Sequence, residues 1–429
     1  MITNENTNRI SICFFIINSV LASNVFAKDD DESENRFIDF IEIGTSYEYS
    51  DNIYKASDDE ITGNTKSADI SVGYKKVLPT TNISLKYNAE YSDTSEDDLD
   101  DSNYWIGVSA LSQQVFSKNL IFNLNHVRQR YILNQNEAAL ESNTDEKDSL
   151  SGGLQWSIPY SAKSSFVLGL TRSQVWYDDN DSNDYGSNIG KASWQYALDE
   201  RSQLQLIYTG SQKDFNNVDY TYTEHNIDAV LVREYKLGNY SFDIGQSWIE
   251  ADSSDYTSTN YGFNIDATIR QHYLAFNASY ELTNTADQIG TDNDIDSTDY
   301  EIYEQTNLSV QYQYSSSNKR LTNSLRLYYI NDQNIDDSDS LDKDQYGIYG
   351  GVNWALTNKW SWNIAFNYYE LHYESSSTKK YTDTEISTRY NFTSSLYLQL
   401  SAASENLQYV DSSNDYQEQV YTTRIAYTY

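Results

Sequence analysis

Four histidines, His126, His225, His272 and His372, are the residues best suited to proton transfer or metal ligation. They are scattered, with no metal-ligand spacing between any two. No H-E-x-x-H, G-x-S-x-G or phosphate-loop pattern accompanies them. A Ser–His hydrolase is compatible with this inventory, but no pattern favours one, so a non-enzymatic protein is expected. Asp292, Asp294 and Asp296 alternate as ligands of a calcium loop do. Ser297 then stands where the turn glycine is needed, and Tyr303 where a bidentate glutamate should close the site. The run therefore reads as a solvated acidic surface, with no metal and no cofactor implied.

The spacing of the other charges supports electrostatic work. Lys75, Lys86, Lys191, Arg270, Arg326, Arg389 and Arg424 fall on the polar parity of alternating segments. Asp69, Glu90, Asp228, Asp243, Asp266 and Glu385 share that parity. A cation facing lipid at mid-bilayer costs about 2–4 kcal/mol, a cost that largely disappears in a wet lumen. These side chains are thus candidates to line a lumen. They would form either a pathway for a polar solute or an ion-pair network that fills the interior.

The segments that must position them are strands. In Ala68–Tyr74 and Ile83–Tyr91, apolar or aromatic residues alternate with polar ones, and the pattern recurs in 325–329, 362–368 and 386–392. Short connectors, such as 78–81, 117–119, 159–163, 237–239 and 357–359, alternate with long acidic ones, such as 95–102, 134–148, 178–184, 291–299 and 336–344. Both prolines, Pro79 and Pro159, fall in short connectors, where a missing N–H harms no ladder. The net charge of −35 and mean hydropathy of −0.70 would suit disorder. The 40 Tyr, 14 Phe and 8 Trp contradict that and favour strands.

The fold class expected is all-β: a transmembrane antiparallel β-barrel of about 18–20 strands, with short periplasmic turns and long acidic extracellular loops. The weaker segments 240–254 and 260–269 set the lower figure. A soluble β-sandwich is the rival, but it should bury more continuous aliphatic surface and has no need of alternating loop lengths. A barrel this wide encloses a channel unless something plugs it. Most tryptophans lie near strand ends, as an interfacial girdle requires, and some tyrosines could stack on sugars.

Residues 1–27 read as a secretory signal peptide. Ile10–Ala22 is an apolar run too short to span a bilayer, and Val25 and Ala27 precede the expected cleavage. The single cysteine, Cys13, lies within it. Residues 28–37 form a short acidic periplasmic leader, and 38–429 the barrel. The chain ends on alternating Tyr421, Thr423, Ile425, Tyr427 and Tyr429, which would face lipid on the final strand. This ending resembles the signal read by the barrel-assembly machinery. The expected location is the outer membrane, among its lipid and lipopolysaccharide. The acidic exterior argues against nucleic acid as a partner.

The stretch Tyr49-Ser-Asp-Asn-Ile-Tyr-Lys-Ala-Ser-Asp-Asp-Glu60, followed by Ser67–Lys76 ("SADISVGYKK"), resembles Gram-negative outer-membrane barrels associated with exopolysaccharide biosynthesis and export. The resemblance implies a passive conduit for a secreted polysaccharide, with a periplasmic export protein as partner and no catalytic residues. A general or solute-specific porin is the alternative. A surface barrel whose acidic loops bind ligands is another.

Overall fold

The computed structural model describes residues 39–55, 60–96, 102–116, 118–132, 144–178, 184–216, 221–251, 254–284, 302–335, 342–373, 378–409 and 415–429. The proposed signal peptide and leader, and the calcium-like run 292–297, lie outside them. Twenty strands follow in order. The first ten are β1 (Phe40–Ser50), β2 (Gly63–Val77), β3 (Thr81–Thr94), β4 (Ser102–Gln114), β5 (Leu120–Ile132), β6 (Thr144–Pro159), β7 (Ser164–Tyr177), β8 (Tyr185–Ala197), β9 (Ser202–Phe215) and β10 (Thr221–Tyr235). The rest are β11 (Gly238–Ala251), β12 (Ser254–Ile269), β13 (His272–Asn284), β14 (Ile302–Ser315), β15 (Leu321–Asn334), β16 (Lys343–Ala355), β17 (Trp360–Tyr373), β18 (Lys379–Asn391), β19 (Leu396–Tyr409) and β20 (Tyr416–Thr428). The two weak segments are full strands, β11 and β12, so the count is the upper one expected.

Each strand pairs antiparallel with the next, and β1 pairs with β20 from Glu42↔Thr428 to Ser50↔Val420. The sheet is therefore closed and presents no open edge to lipid. Alternation then assigns the two faces. In β1, Ile43, Tyr47 and Tyr49 are exposed outside, while Glu42, Gly44 and Ser50 are buried inside. Leu170 is 70% exposed and Asp69 only 8%. That inverts the burial of a water-soluble protein, and such an apolar outer band needs lipid against it. All eight tryptophans share the outward parity. Trp105, Trp176 and Trp248 lie toward the long connections, and Trp156, Trp194, Trp354, Trp360 and Trp362 toward the short ones. Two aromatic girdles result, as an outer-membrane barrel requires.

The short turns are pinned locally. Thr357 Oγ1 accepts from the backbone N–H groups of Lys359 (3.1 Å) and Trp360 (3.0 Å). Asp199 accepts from the backbone N–H of Arg201 (2.8 Å) and from the Ser202 hydroxyl (3.1 Å), bonds that hold its carboxyl below the usual range. The turn between β12 and β13 is only Arg270-Gln271, and Arg270 has φ 58° there. Arg270 is thus an exposed turn residue and does not line the lumen. Its place just past the end of a strand made its parity look like that of Asp266.

The closing seam is stitched from inside. Arg424 Nη2 on β20 donates to Glu42 on β1 (2.9 Å) and to Asp69 on β2 (2.8 Å). Glu42 also accepts from the hydroxyls of Tyr397 (2.8 Å) and Thr428 (2.9 Å). Gly44 leaves the room this requires, since a Cβ there would lie 2.6 Å from both Arg424 Nη2 and Asp69 Oδ1. At the other end Ser50 donates to Glu418 (2.6 Å), Asn52 Nδ2 to the Gln417 carbonyl (2.9 Å), and the Gln419 N–H to Asp51 (2.6 Å). Ser50, Asp51 and Asn52 of the S-D-N-I-Y stretch therefore serve closure of the barrel.

Removing Arg424 would leave two buried carboxylates facing each other. Arg424→Ala is expected to lower folding stability by about 3 kcal/mol. Urea titration of the barrel in lipid vesicles, followed by tryptophan fluorescence, measures this. Gly44→Val should act in the same direction by displacing the guanidinium.

Candidate functional site

The inward parity of the ring defines the candidate site, a lumen with unequal walls. On β10–β13 it carries Glu224, Asp228, Asp243, Asp266 and Glu281. Among the described residues no lysine or arginine has inward parity on β10–β14. Amides knit this wall together: Asn226 Nδ2 donates to Glu224 (2.6 Å), Ser247 to Asn226, and Asn260 Nδ2 to Ser247. In the ring, β11 is ten strands from β1, so the acidic wall stands across the lumen from the seam.

The seam wall holds Lys86, Arg389 and Arg424 with Glu42, Asp69 and Glu90. Asp69 lies opposite Glu90 in register, and Lys86 opposite Gly73. The charge of Arg424 is already met by its two carboxylates. Arg389 lies over the Tyr397 ring at 3.5 Å and donates through Nε to Asn391 (3.0 Å). Toward the long connections, Lys55 bridges Glu405 (2.7 Å) and Glu418 (3.5 Å). The lumen field is consequently negative on one side and largely compensated on the other.

A third part of the wall is neutral. On β5–β9 a recess of about 370 Å³ is lined by Asn123, Asn125, Gln155, Gln195 and Gln205, with Lys191 the one cation. Amides there can donate and accept at once, which suits a hydroxylated or zwitterionic solute.

Of the residues picked from sequence, Asp69, Glu90, Lys86, Arg389 and Arg424 meet at the seam wall, and Asp266 joins the acidic wall. Lys191 sits in the neutral recess. Arg326 stands apart on β15, its guanidinium over the Tyr328 ring at 5.7 Å. Lys75 lies at the short-turn rim of β2, its backbone N–H bonded to the Asp39 carboxylate. Tyr421, Ile425, Tyr427 and Tyr429 are exposed outward, and the Tyr429 N–H pairs with the Ile41 carbonyl (2.7 Å).

Two features escaped the sequence. The lumen expected to be polar throughout carries an inward aromatic collar near the long connections. Tyr328, Tyr369, Tyr381, Tyr409 and Tyr416 pack with Ile330, Leu371 and Leu407, all buried and all on inward parity. Lys379 lies over Tyr409 (5.8 Å), Lys55 over Tyr416 (5.4 Å) and Lys213 over Tyr222 (5.6 Å). The shared parity of Asn367, Tyr369 and Leu371 was the available signal. The second feature is the histidines, all of which face outward against tyrosines. His126 is 2.7 Å from Tyr87 Oη and 2.9 Å from Asp148, while His225 and His272 lie 2.9 Å from Tyr208 and Tyr312. His372 is 3.4 Å from Tyr346 Oη.

No protein-family model matches the chain, and no curated protein does. Solved structures do. The siderophore receptor PiuA from Acinetobacter baumannii aligns over 93% of this chain and 82% of its own, at 8% identity and a TM-score of 0.51. The FrpB iron transporter from Neisseria meningitidis aligns over 92% and 82%, at 6% identity and 0.49. The outer membrane protein opdK from Pseudomonas aeruginosa aligns over 91% and 99%, at 10% identity and 0.38. The first supports the fold alone, and it agrees with the closed, inside-out ring described above. The chain is a barrel of the outer membrane.

The collar gathers apolar and aromatic side chains on inward parity where the rest of the wall is polar. Tyr381→Ala is expected to lose about 3 kcal/mol of stability by cavity formation. Urea titration of the folded barrel measures the loss.

Proposed function

We propose that this barrel is a passive outer-membrane pathway for small hydrophilic solutes, with a preference for cationic or neutral ones. The observation that carries the reading is the asymmetric lumen. An acidic wall on β10–β13 faces a seam whose arginine is neutralised by Glu42 and Asp69, beside a neutral recess on β5–β9. Charges of one sign on low-dielectric walls raise the local concentration of counter-charged solutes.

The polysaccharide conduit implied by the Tyr49–Glu60 resemblance is the weaker reading. The first residues of that stretch hold β1 to β20, a task any closed barrel has, and no observation points to a long polymer. Recognition of the outward Tyr421–Tyr429 edge by the barrel-assembly machinery belongs to the same proposal, as an account of how the chain reaches the membrane.

Reconstitution in planar bilayers tests the function. Folded protein should give stepwise conductance with potassium favoured over chloride by about fivefold at low salt, fading as ionic strength rises. Asp228→Asn combined with Asp243→Asn removes two of the wall's five carboxylates and should lower the ratio by about half while conductance persists. A folded barrel that conducts nothing would rule the pathway out, and unchanged selectivity in the double variant would rule out the acidic wall as its source.

A further inference from the structure

The outer face of β6–β9 differs from the rest of the lipid-facing band. In register there, the outward row Arg172–Asn188–Gln212 sits directly above the row Leu170–Gly190–Gly210, on the side of the long connections. On β6 the lower row is continued by Leu154, while Gly152 lies opposite Arg172. Together they line an outward groove of about 720 Å³, the size range of a small-ligand pocket. Its floor is backbone at Gly190. A Cβ on Gly190 would find no atom nearer than Leu170 Cδ2 at 3.8 Å, so the space is real and unfilled. Against disordered lipid such a hollow forfeits dispersion contacts, which a chain of fitting width would restore.

The upper end of the groove is cationic. Arg172 is exposed, and among the described residues its hydrogen bond is to the neutral Asn188 Oδ1 (2.9 Å). Over Gly210 stand the hydrogen-bonded Tyr208 Oη and His225 Nδ1, 3.0 and 3.3 Å from where a Cβ would lie. Nearby outward carboxylates are engaged elsewhere: Asp148 with Arg128 and His126, and Asp214 with Gln212 Nε2 (3.0 Å). The change from leucine to arginine within two residues of β7 marks the edge of the hydrocarbon band on the extracellular side. A guanidinium at that depth, over an apolar slot, is complementary to a phosphate with an acyl chain hanging beneath it.

We infer that this groove is a docking site for a phosphorylated glycolipid of the outer leaflet, of the lipid A type. One acyl chain lies over Gly190 beside Leu170, and one phosphate sits against Arg172. The site is independent of the lumen, so it stands whether or not the barrel conducts.

Native mass spectrometry of the folded full-length barrel with bisphosphorylated lipid A tests it. One tightly retained lipid A is expected. Arg172→Gln should reduce retention at least tenfold, and Gly190→Leu, which fills the slot without touching the phosphate contact, should do likewise. Dephosphorylated lipid A should bind the wild type about as weakly as lipid A binds Arg172→Gln. Heat-modifiable gel migration verifies that each variant is folded. The site is refuted if folded Arg172→Gln and Gly190→Leu retain lipid A as the wild type does. It is equally refuted if phosphatidylglycerol displaces lipid A at equal concentration. A dimer that forms in the wild type and is lost in Gly190→Leu would overturn the proposal in favour of an interface between two copies.

Discussion

In hydrocarbon no backbone N–H or C=O group can be left unpaired, and the union of β1 with β20 is where this chain meets that demand. Every other strand pairs with its neighbour in sequence, across a turn or loop. The seam joins residues nearly four hundred positions apart, such as Glu42 with Thr428. Arg424, Glu42, Asp69 and Tyr397 supply from inside what chain connectivity cannot supply here. Glycine at position 44 and the acid at position 69 have roles only because β20 returns beside them.

Closure also organises the lumen. Once the ring is shut, β10–β13 must stand across from the seam, and the acids on those strands face a wall whose cations have partners. The polarity of the lumen thus follows from where the seam's counter-charges sit. The aromatic collar answers a different constraint. Strands longer than the bilayer is thick carry their last residues beyond the lipid, and there the inward side chains pack on one another. The tyrosines that look like girdle residues by position are, in part, an internal core.

The outer surface shows the same division of labour. Tryptophans and tyrosine-backed histidines mark the interfaces between β4 and β17. On β6–β9 glycine replaces bulky aliphatics at Gly152, Gly190 and Gly210. A smooth apolar belt there becomes a slot, bordered by a guanidinium that has no carboxylate partner among the described residues.

The sequence by itself determined the fold class, the membrane and the two faces of the segments where alternation is regular. A period of two is a local property, readable in Ala68–Tyr74 or Tyr421–Tyr429 without knowing any partner strand. It determined the strand count to within one hairpin, because loop length alternates along the chain. It misplaced Arg270, since a two-residue turn ends a strand with no change in pattern. It read Ser50–Asn52 as a family mark where they are a clasp. Only the tertiary structure decided which charges meet. Arg424 finds Glu42 and Asp69, Lys55 finds Glu405, and Gly190 meets Gly210 beside Leu170, because cross-strand register brings together residues that parity alone leaves unrelated.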